Sequence, residues 1–300
     1  MKRTILTLAV SWAILHAATG VAFLKIPVDA RVCAIGEAAS THSDNISAIF
    51  YNPAGLAGLS SFGAVVSHNE WLLGMNQEYA AAGFGSEGLG TFGLSFNYWG
   101  SGDIQWVNWR GETIPGYYFT ASDWCLNLGY GRAFGPFSAG AGFKYLAERN
   151  ESLSTHAFGF DAGAIYQTPL TGLKAGLSVT NFGTKVKLDV EEYSLPLEAR
   201  LGWRFDWQGL GVAQDFILND VEKPGIAAGA EYRIIDIVAL RAGYRTGSST
   251  EGLSGLRAGL GVMFRGFSVD YAFAPYGELG MTHRISLSYR ATSTAPEEDF

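Results

Sequence analysis

Charge is scarce in this 300-residue chain: 16% of residues are Asp, Glu, Lys or Arg, against about 25% in an ordinary soluble domain. Cysteine is scarcer still, with only Cys33 and Cys125, far apart and without metal-site spacing. That count excludes a disulfide scaffold. A single Cys33–Cys125 bond and two free thiols are both compatible with it, and two free thiols are expected. Beyond the N-terminus no apolar run is long enough to cross a bilayer as a helix, which excludes a helical membrane protein. Basic residues are not in excess either. Lys and Arg number 21 against 28 Asp and Glu, for a formal net charge of −7, and nucleic acid is therefore not an expected partner. What the chain has in quantity is glycine (39 residues) and aromatics (14%), in a composition that is 48% hydrophobic. Low charge, abundant glycine and no spanning helix together point to strands.

The N-terminus has the layout of a secretory signal. Lys2 and Arg3 form a basic start, Ile5 to Ala18 are apolar except for Thr7, Ser11 and His16, and Gly20-Val21-Ala22 offers a small-x-small cleavage site. This predicts a signal peptide over 1–22 and a mature chain beginning at Phe23. Removing Lys2 and Arg3 takes the formal charge from −7 to −9. Cys33 lies well past the apolar stretch, so a lipoprotein anchor is not expected.

From about residue 61 onward, apolar and small or polar residues alternate in short runs. Phe92, Leu94, Phe96 and Tyr98 oppose Gly93, Ser95 and Asn97; Trp124, Leu126, Leu128 and Tyr130 oppose Cys125, Asn127, Gly129 and Gly131. The same period runs down to Arg290. A membrane-spanning β-strand needs about 9–11 such residues, apolar toward lipid. Fourteen segments qualify, near 61–69, 76–84, 88–99, 120–132, 136–149, 153–167, 172–181, 195–206, 209–218, 225–233, 236–245, 254–264, 266–275 and 281–290. An even number with alternating short turns and long loops predicts an all-β, transmembrane antiparallel barrel. A soluble sandwich would carry Lys, Glu and Thr opposite its aromatics, whereas here that face is mostly Gly, Ala and Ser. Tyr98, Trp99, Trp203, Trp207, Tyr244 and Tyr289, near strand ends, are expected in interfacial girdles.

The stretch 23–59 does not alternate, and its centre is Phe50-Tyr51-Asn52-Pro53-Ala54-Gly55. Pro53 and Gly55 disfavour any long regular element. Asn52 is expected to tie a compact turn through its side chain. As the only spare mature segment of suitable size, 23–60 is expected to be a hatch inside the lumen of the barrel at 61–290, with 291–300 an acidic tail.

Chemistry-bearing motifs are few. Gly83-Phe84-Gly85-Ser86-Glu87-Gly88 matches G-x-G-x-x-G, but another alternating run follows it, not the helix a dinucleotide site needs, so it is expected to be a hairpin turn. His68 and Glu70 share a strand face without an evident third metal ligand. His42, His156 and His283 are expected to be hydrogen-bonded barrel or loop residues. No G-x-S-x-G elbow is present. No enzyme activity, cofactor or metal is expected. A Lys or Arg facing lipid at mid-membrane costs roughly 2–4 kcal/mol. Lys144, Asp161, Arg200, Arg204, Glu231, Arg241, Arg257, Asp270 and Arg284 are therefore expected to line the lumen, with His68 beside them. There they would form a salt-bridge lattice, line a route, or grip the hatch.

Three blocks carry a resemblance. FLKIPVDARVCAIGEAA followed by DNISAIFYNPAGLAG, SHNEWLLGMNQEY at 67–79, and DYAFAPYGELGMTHRISLSYR at 270–290 resemble the PorV/PorQ family of FadL-like outer-membrane barrels. The resemblance spans 23–290. It implies a fourteen-stranded barrel with an N-terminal hatch, seated in outer-membrane lipid. It also implies one of two roles: an accessory of type IX-like protein secretion that binds exported cargo and surface-attachment proteins, or a FadL-like passive channel for hydrophobic small molecules. Two features depart from the family pattern. Asp29 and Glu37 stand where smaller residues are usual in the hatch, and the chain continues past its last strand into Pro296, Glu297, Glu298 and Asp299.

Overall fold

The computed structural model describes residues 21–291, apart from 87, 152, 189–190, 221–222 and 247–254. Residues 1–20 of the expected signal peptide (1–22) and 292–300 of the expected tail (291–300) lie outside the described residues. Fourteen antiparallel strands close into a barrel. In chain order the first eight are β1 (Phe62–Glu70), β2 (Asn76–Ser86), β3 (Gly90–Gly100), β6 (Ala121–Phe134), β7 (Phe137–Asn150), β8 (Leu153–Gln167), β9 (Leu173–Gly183) and β12 (Glu198–Trp207). The remaining six are β13 (Leu210–Asn219), β14 (Gly225–Ile234), β15 (Val238–Arg245), β16 (Leu256–Phe264), β17 (Phe267–Pro275) and β18 (Met281–Arg290). The register of β1 with β18, Gly63 opposite Arg290 through Glu70 opposite His283, closes the ring. Two small hairpins that the alternation did not single out stand in the long connections: β4 (Ile104–Val107) with β5 (Thr113–Phe119), and β10 (Val186–Leu188) with β11 (Glu191–Tyr193).

One end of the barrel carries the tight turns, the start of β1 and the end of β18. Gln208-Gly209 and Arg265-Gly266 both have positive φ at each residue. That is the geometry of two-residue type I′ hairpins, whose twist matches the flanking strands. The opposite end carries the longer connections.

The wall is apolar outward. Leu94, Leu128, Phe160, Leu201, Phe216, Leu260, Val269 and Leu287 are all exposed, and their strand neighbours face inward and are mostly buried. In water this inverted distribution would be strongly unfavourable; in hydrocarbon it is the stable one. Closure also leaves no unpaired strand edge, which a bilayer would not tolerate. The barrel is a transmembrane one. Among the described residues no helix is long and apolar enough to cross a membrane.

Residues 21–59 pack against the inward face of the wall. They form 3₁₀ turns at Ala22–Lys25 and Pro53–Gly58 and two short helices, α1 (Ala30–Ala34) and α2 (Ala48–Tyr51). Val28, Val32, Ile46, Ile49, Tyr51, Leu56 and Leu59 make one apolar cluster with Val65, Tyr79 and Ala81 of β1 and β2. Burying a leucine-sized side chain contributes about 1.5–3 kcal/mol, so this cluster is a substantial part of what holds the segment in place.

Candidate functional site

The site is the contact between the N-terminal segment and the barrel's inner wall. Its centre is Asn52. The Asn52 side chain accepts the Ala54 N–H at 3.0 Å and caps the Pro53–Gly58 turn, whose first position is the proline. Proline suits that position because its missing N–H would have had no partner there. The Asn52 Nδ2 donates to the Ser40 carbonyl at 2.5 Å and to the wall carbonyls of Leu177 and Ala164 at 3.3 and 3.4 Å. Gly55 is required because a Cβ there would stand 2.0 Å from the His42 carbonyl oxygen. Each residue of Asn52-Pro53-Ala54-Gly55 thus has a geometric reason, with Ala54 buried against the wall. Phe50 packs edge-on to Tyr51 and Tyr79, and the Tyr51 hydroxyl accepts the Val28 and Asp29 N–H groups.

Glycines on the wall let the two backbones approach. A Cβ at Gly140 would lie 2.3 Å from the Pro53 carbonyl carbon, and one at Gly229 would lie 2.2 Å from the Ile35 carbonyl oxygen. A side chain at either position would push the segment away.

Charges supply the second layer. Arg31 of α1 forms a bidentate pair with Glu231, at 2.8 and 3.0 Å, and reaches Asp44 at 2.7 Å. Glu231 also pairs with Arg241 at 2.7 Å, and Arg241 continues to Asp270 at 2.7 Å. Arg204 approaches Glu231 at 3.5 Å. Further round the wall, Arg200 donates to the Glu37 carbonyl at 2.5 Å and pairs with Glu198, while Arg245 pairs with the Glu37 carboxylate. Asp215 accepts the Ala39 and Ser40 N–H groups, both at 2.8 Å. Lys144 pairs with Asp161 at 2.9 Å, donates to Asn181 at 2.6 Å and lies over the Phe50 ring. Arg257 lies over the Tyr276 ring, and Arg284 is fully buried within 3.5 Å of Gln77. Burial would raise the Asp44 carboxyl, but Arg31 outweighs it and holds Asp44 well below the usual carboxylate range. Burial dominates at His42, whose imidazole is held below its ordinary value while its Nε2 contacts Ser47 Oγ at 3.0 Å.

The structure places nine of the ten lumen candidates on the inner wall and one elsewhere. His68 faces outward with Val66 and pairs with Glu78 at 2.6 Å. Gly63, Val65, Ser67 and Asn69 take the inward positions of β1, and period-2 alternation then leaves His68 outside. Trp99 is a converse case: Tyr98 is outward as a girdle residue, and Trp99 packs inward beside Phe23 and Leu24. His156 and His283 bond the cross-strand hydroxyls of Tyr145 and Tyr271 at 3.1 and 2.7 Å. Gly83 to Ser86 end β2, and Gly88 stands in its hairpin connection with β3. Cys33 and Cys125 are free and buried. No metal-competent cluster occurs among the described residues.

Arg31, Asp44 and Asp215 are partners that sequence reasoning missed. The departures at Asp29 and Glu37 have roles too. Asp29 caps α1 through the Val32 N–H and accepts from Ser47, and Glu37 answers Arg245.

The space beside Phe50 and Tyr51 is small, about 20 Å³, and is lined by Lys144, Glu198 and Arg200. That is room for about one water, not a solute. Larger cavities of about 330 and 280 Å³ open at the tight-turn end, bordered by Arg31, Asp44, Lys174, Arg204 and Arg233 and by Arg241, Arg265 and Asp270.

With this geometry established, known structures are informative. The Ralstonia pickettii toluene transporter TbuX superposes with a TM-score of 0.63 at 14% identity, covering 93% of this chain and 99% of that one. The chain has the same barrel fold as that transporter. A Pseudomonas aeruginosa FadL homologue gives a TM-score of 0.64 at 14% identity over 88% and 98% of the two chains. The Pseudomonas putida toluene transporter TodX gives 0.61 at 11% identity over 86% and 95%. At these identities the likeness concerns the fold. No family model matches the sequence, and neither does any curated protein. The narrower PorV/PorQ resemblance therefore rests on the sequence blocks alone.

Proposed function

We propose that this is an exported outer-membrane barrel through which small hydrophobic molecules pass by diffusion, with residues 23–60 as a hatch that must shift to let them through. The fold shared with solved toluene transporters carries the reading; the filled lumen by itself counts against free passage, which is why the segment must shift. A segment of the chain itself, apolar at its centre and charged where it meets the wall, occupies the route between the two ends. Solved barrels of the same fold over nearly their whole length are toluene transporters. Export requires removal of the leader at about residues 20–22. The tight-turn end then faces the periplasm and the longer connections face outward, the usual asymmetry of such barrels.

The secretion-accessory role draws less support. The blocks at 67–79 and 270–290 have structural work that accounts for their polar residues. Ser286 accepts the Ala30 N–H and donates to Ser67, Gln77 donates to the Ile26 carbonyl, and Asp270 anchors Arg241. The Ala30 and Ile26 contacts grip the hatch, and the Ser67 and Arg241 contacts tie strands of the wall to one another. They require no cargo.

Deleting the gene and measuring uptake of an aromatic hydrocarbon and of a long-chain fatty acid tests the proposal. Uptake of one of them should fall and return on complementation. Unchanged uptake, together with cargo proteins retained in the periplasm, would overturn it in favour of secretion.

A further inference from the structure

Two carboxylates at the long-loop end stand apart from the ion-pair network. Asp123 on β6 and Glu148 on β7 lie directly opposite in register, and both point inward. Asp123 is only 8% exposed. Like charges directly opposite one another destabilise a sheet, and a buried carboxylate without a counter-ion costs more still. Among the described residues no cation acts on either: the charged group that acts on Asp123 is Glu148, and the donor that meets Glu148 is a backbone N–H. Trp99, opposite Asp123 on β3, adds a buried indole Nε1 that has no acceptor.

The start of the N-terminal segment reaches this place. The Val21 backbone N–H donates to the Glu148 carboxylate. Val21, Phe23 and Leu24 are buried in one cluster with Cys125 and Leu146, the next inward residues of β6 and β7, and Trp99 packs on it. In the unprocessed chain the nitrogen at this point is an uncharged amide with one hydrogen to offer two carboxylates.

We propose that Asp123 and Glu148 are the binding site for the α-ammonium group created when the leader is removed, and that this ion pair docks the processed N-terminus in the barrel. The inference rests on the export reading above. Hydrolysis of the peptide bond by the exporting cell's leader peptidase consumes one water. It leaves a carboxylate on the leader and an amine on the mature chain. With an ordinary pKa of about 7.7–8.0 the amine takes up a proton near neutral pH. The product is a cation with three donors where two carboxylates lacked one. Cleavage after Ala22 or after Gly20, each preceded by a small-x-small triplet, puts the new amine on Phe23 or Val21, both within the buried cluster.

The test uses the full precursor, expressed in an export-competent host and purified as the folded barrel. Intact mass first identifies the N-terminal residue. The α-amine is then dimethylated reductively near neutral pH, and its rate is compared between wild type, D123N, E148Q, the double variant and the urea-unfolded chain. Heat-modifiable mobility establishes which variants are folded. The expected result is a chain beginning between residues 21 and 23, at least tenfold protected in wild type. Protection should be partly lost in each single variant, which also serves if the double variant does not fold. A chain still carrying residues 1–20 overturns the export reading and this inference with it. A processed chain whose amine reacts as fast as in the unfolded state, or is equally protected in folded variants, overturns this inference alone.

Discussion

Replacing Asn52 by Ala removes the acceptor for the Ala54 N–H and the donor shared by the Ser40, Leu177 and Ala164 carbonyls. Leaving buried backbone groups unpaired costs about 1–3 kcal/mol. Asn52→Ala should accordingly raise hydrogen exchange in residues 40–56 by about 5- to 150-fold while the barrel strands stay protected. Gly163→Ala should act the same way from the wall side, because its Cβ would meet Asn52 Oδ1 at 1.9 Å. Glu231→Gln is a stronger perturbation. It takes the partner from Arg31 and Arg241 together, and breaking a buried ion pair costs about 3–5 kcal/mol. The temperature at which the folded gel form is lost should fall clearly. Glu192→Gln, whose 3.8 Å contact with Lys185 is exposed, should leave it nearly unchanged. The importance of Asn52 was legible because Asn before Pro, with Gly three residues on, has a turn chemistry of its own. Arg31 and Asp44 were not legible. Their partners lie 200 and 13 residues away along the chain, and no local pattern points across that distance.

At the scale of the strand, alternation was a nearly complete guide, because a wall with lipid on one side and a packed lumen on the other enforces period 2 on every segment. Leu128 tests that directly. It sits mid-strand in β6 and faces outward, so Leu128→Arg should destabilise the barrel by roughly 2–4 kcal/mol, measured by refolding into detergent or lipid. His68 shows where alternation needs help. Both faces of β1 carry small or polar residues at that end, and the choice of inward face was made by the segment packed against Gly63, Val65, Ser67 and Asn69. The hairpins β4–β5 and β10–β11 were also missed. They are short and stand in loops; β4–β5 is largely exposed and β10 buries Val186, too little to impose a period.

For the whole molecule, the proposed hatch role makes the contact between residues 21–59 and the wall the feature that closes the barrel. Deleting residues 28–56 removes both the apolar cluster and the Arg31, Glu37 and Asp44 anchors. The strands' own hydrogen bonds are untouched, so the protein should still show heat-modifiable mobility. In planar bilayers its conductance should rise well above that of the intact chain, and an unchanged conductance would count against the hatch role. The stretch 23–59 stood out in the sequence because it failed to alternate, and its size made the lumen its natural place. By itself the sequence determined the strands, their number and the outward face of nearly all of them, since those follow from a local period imposed by the surroundings. Only the tertiary structure decided which charges meet, which glycines admit the hatch backbone and how little space is left beside Phe50 and Tyr51. Those depend on register and on contacts between residues far apart in the chain, which a repeating local pattern does not encode.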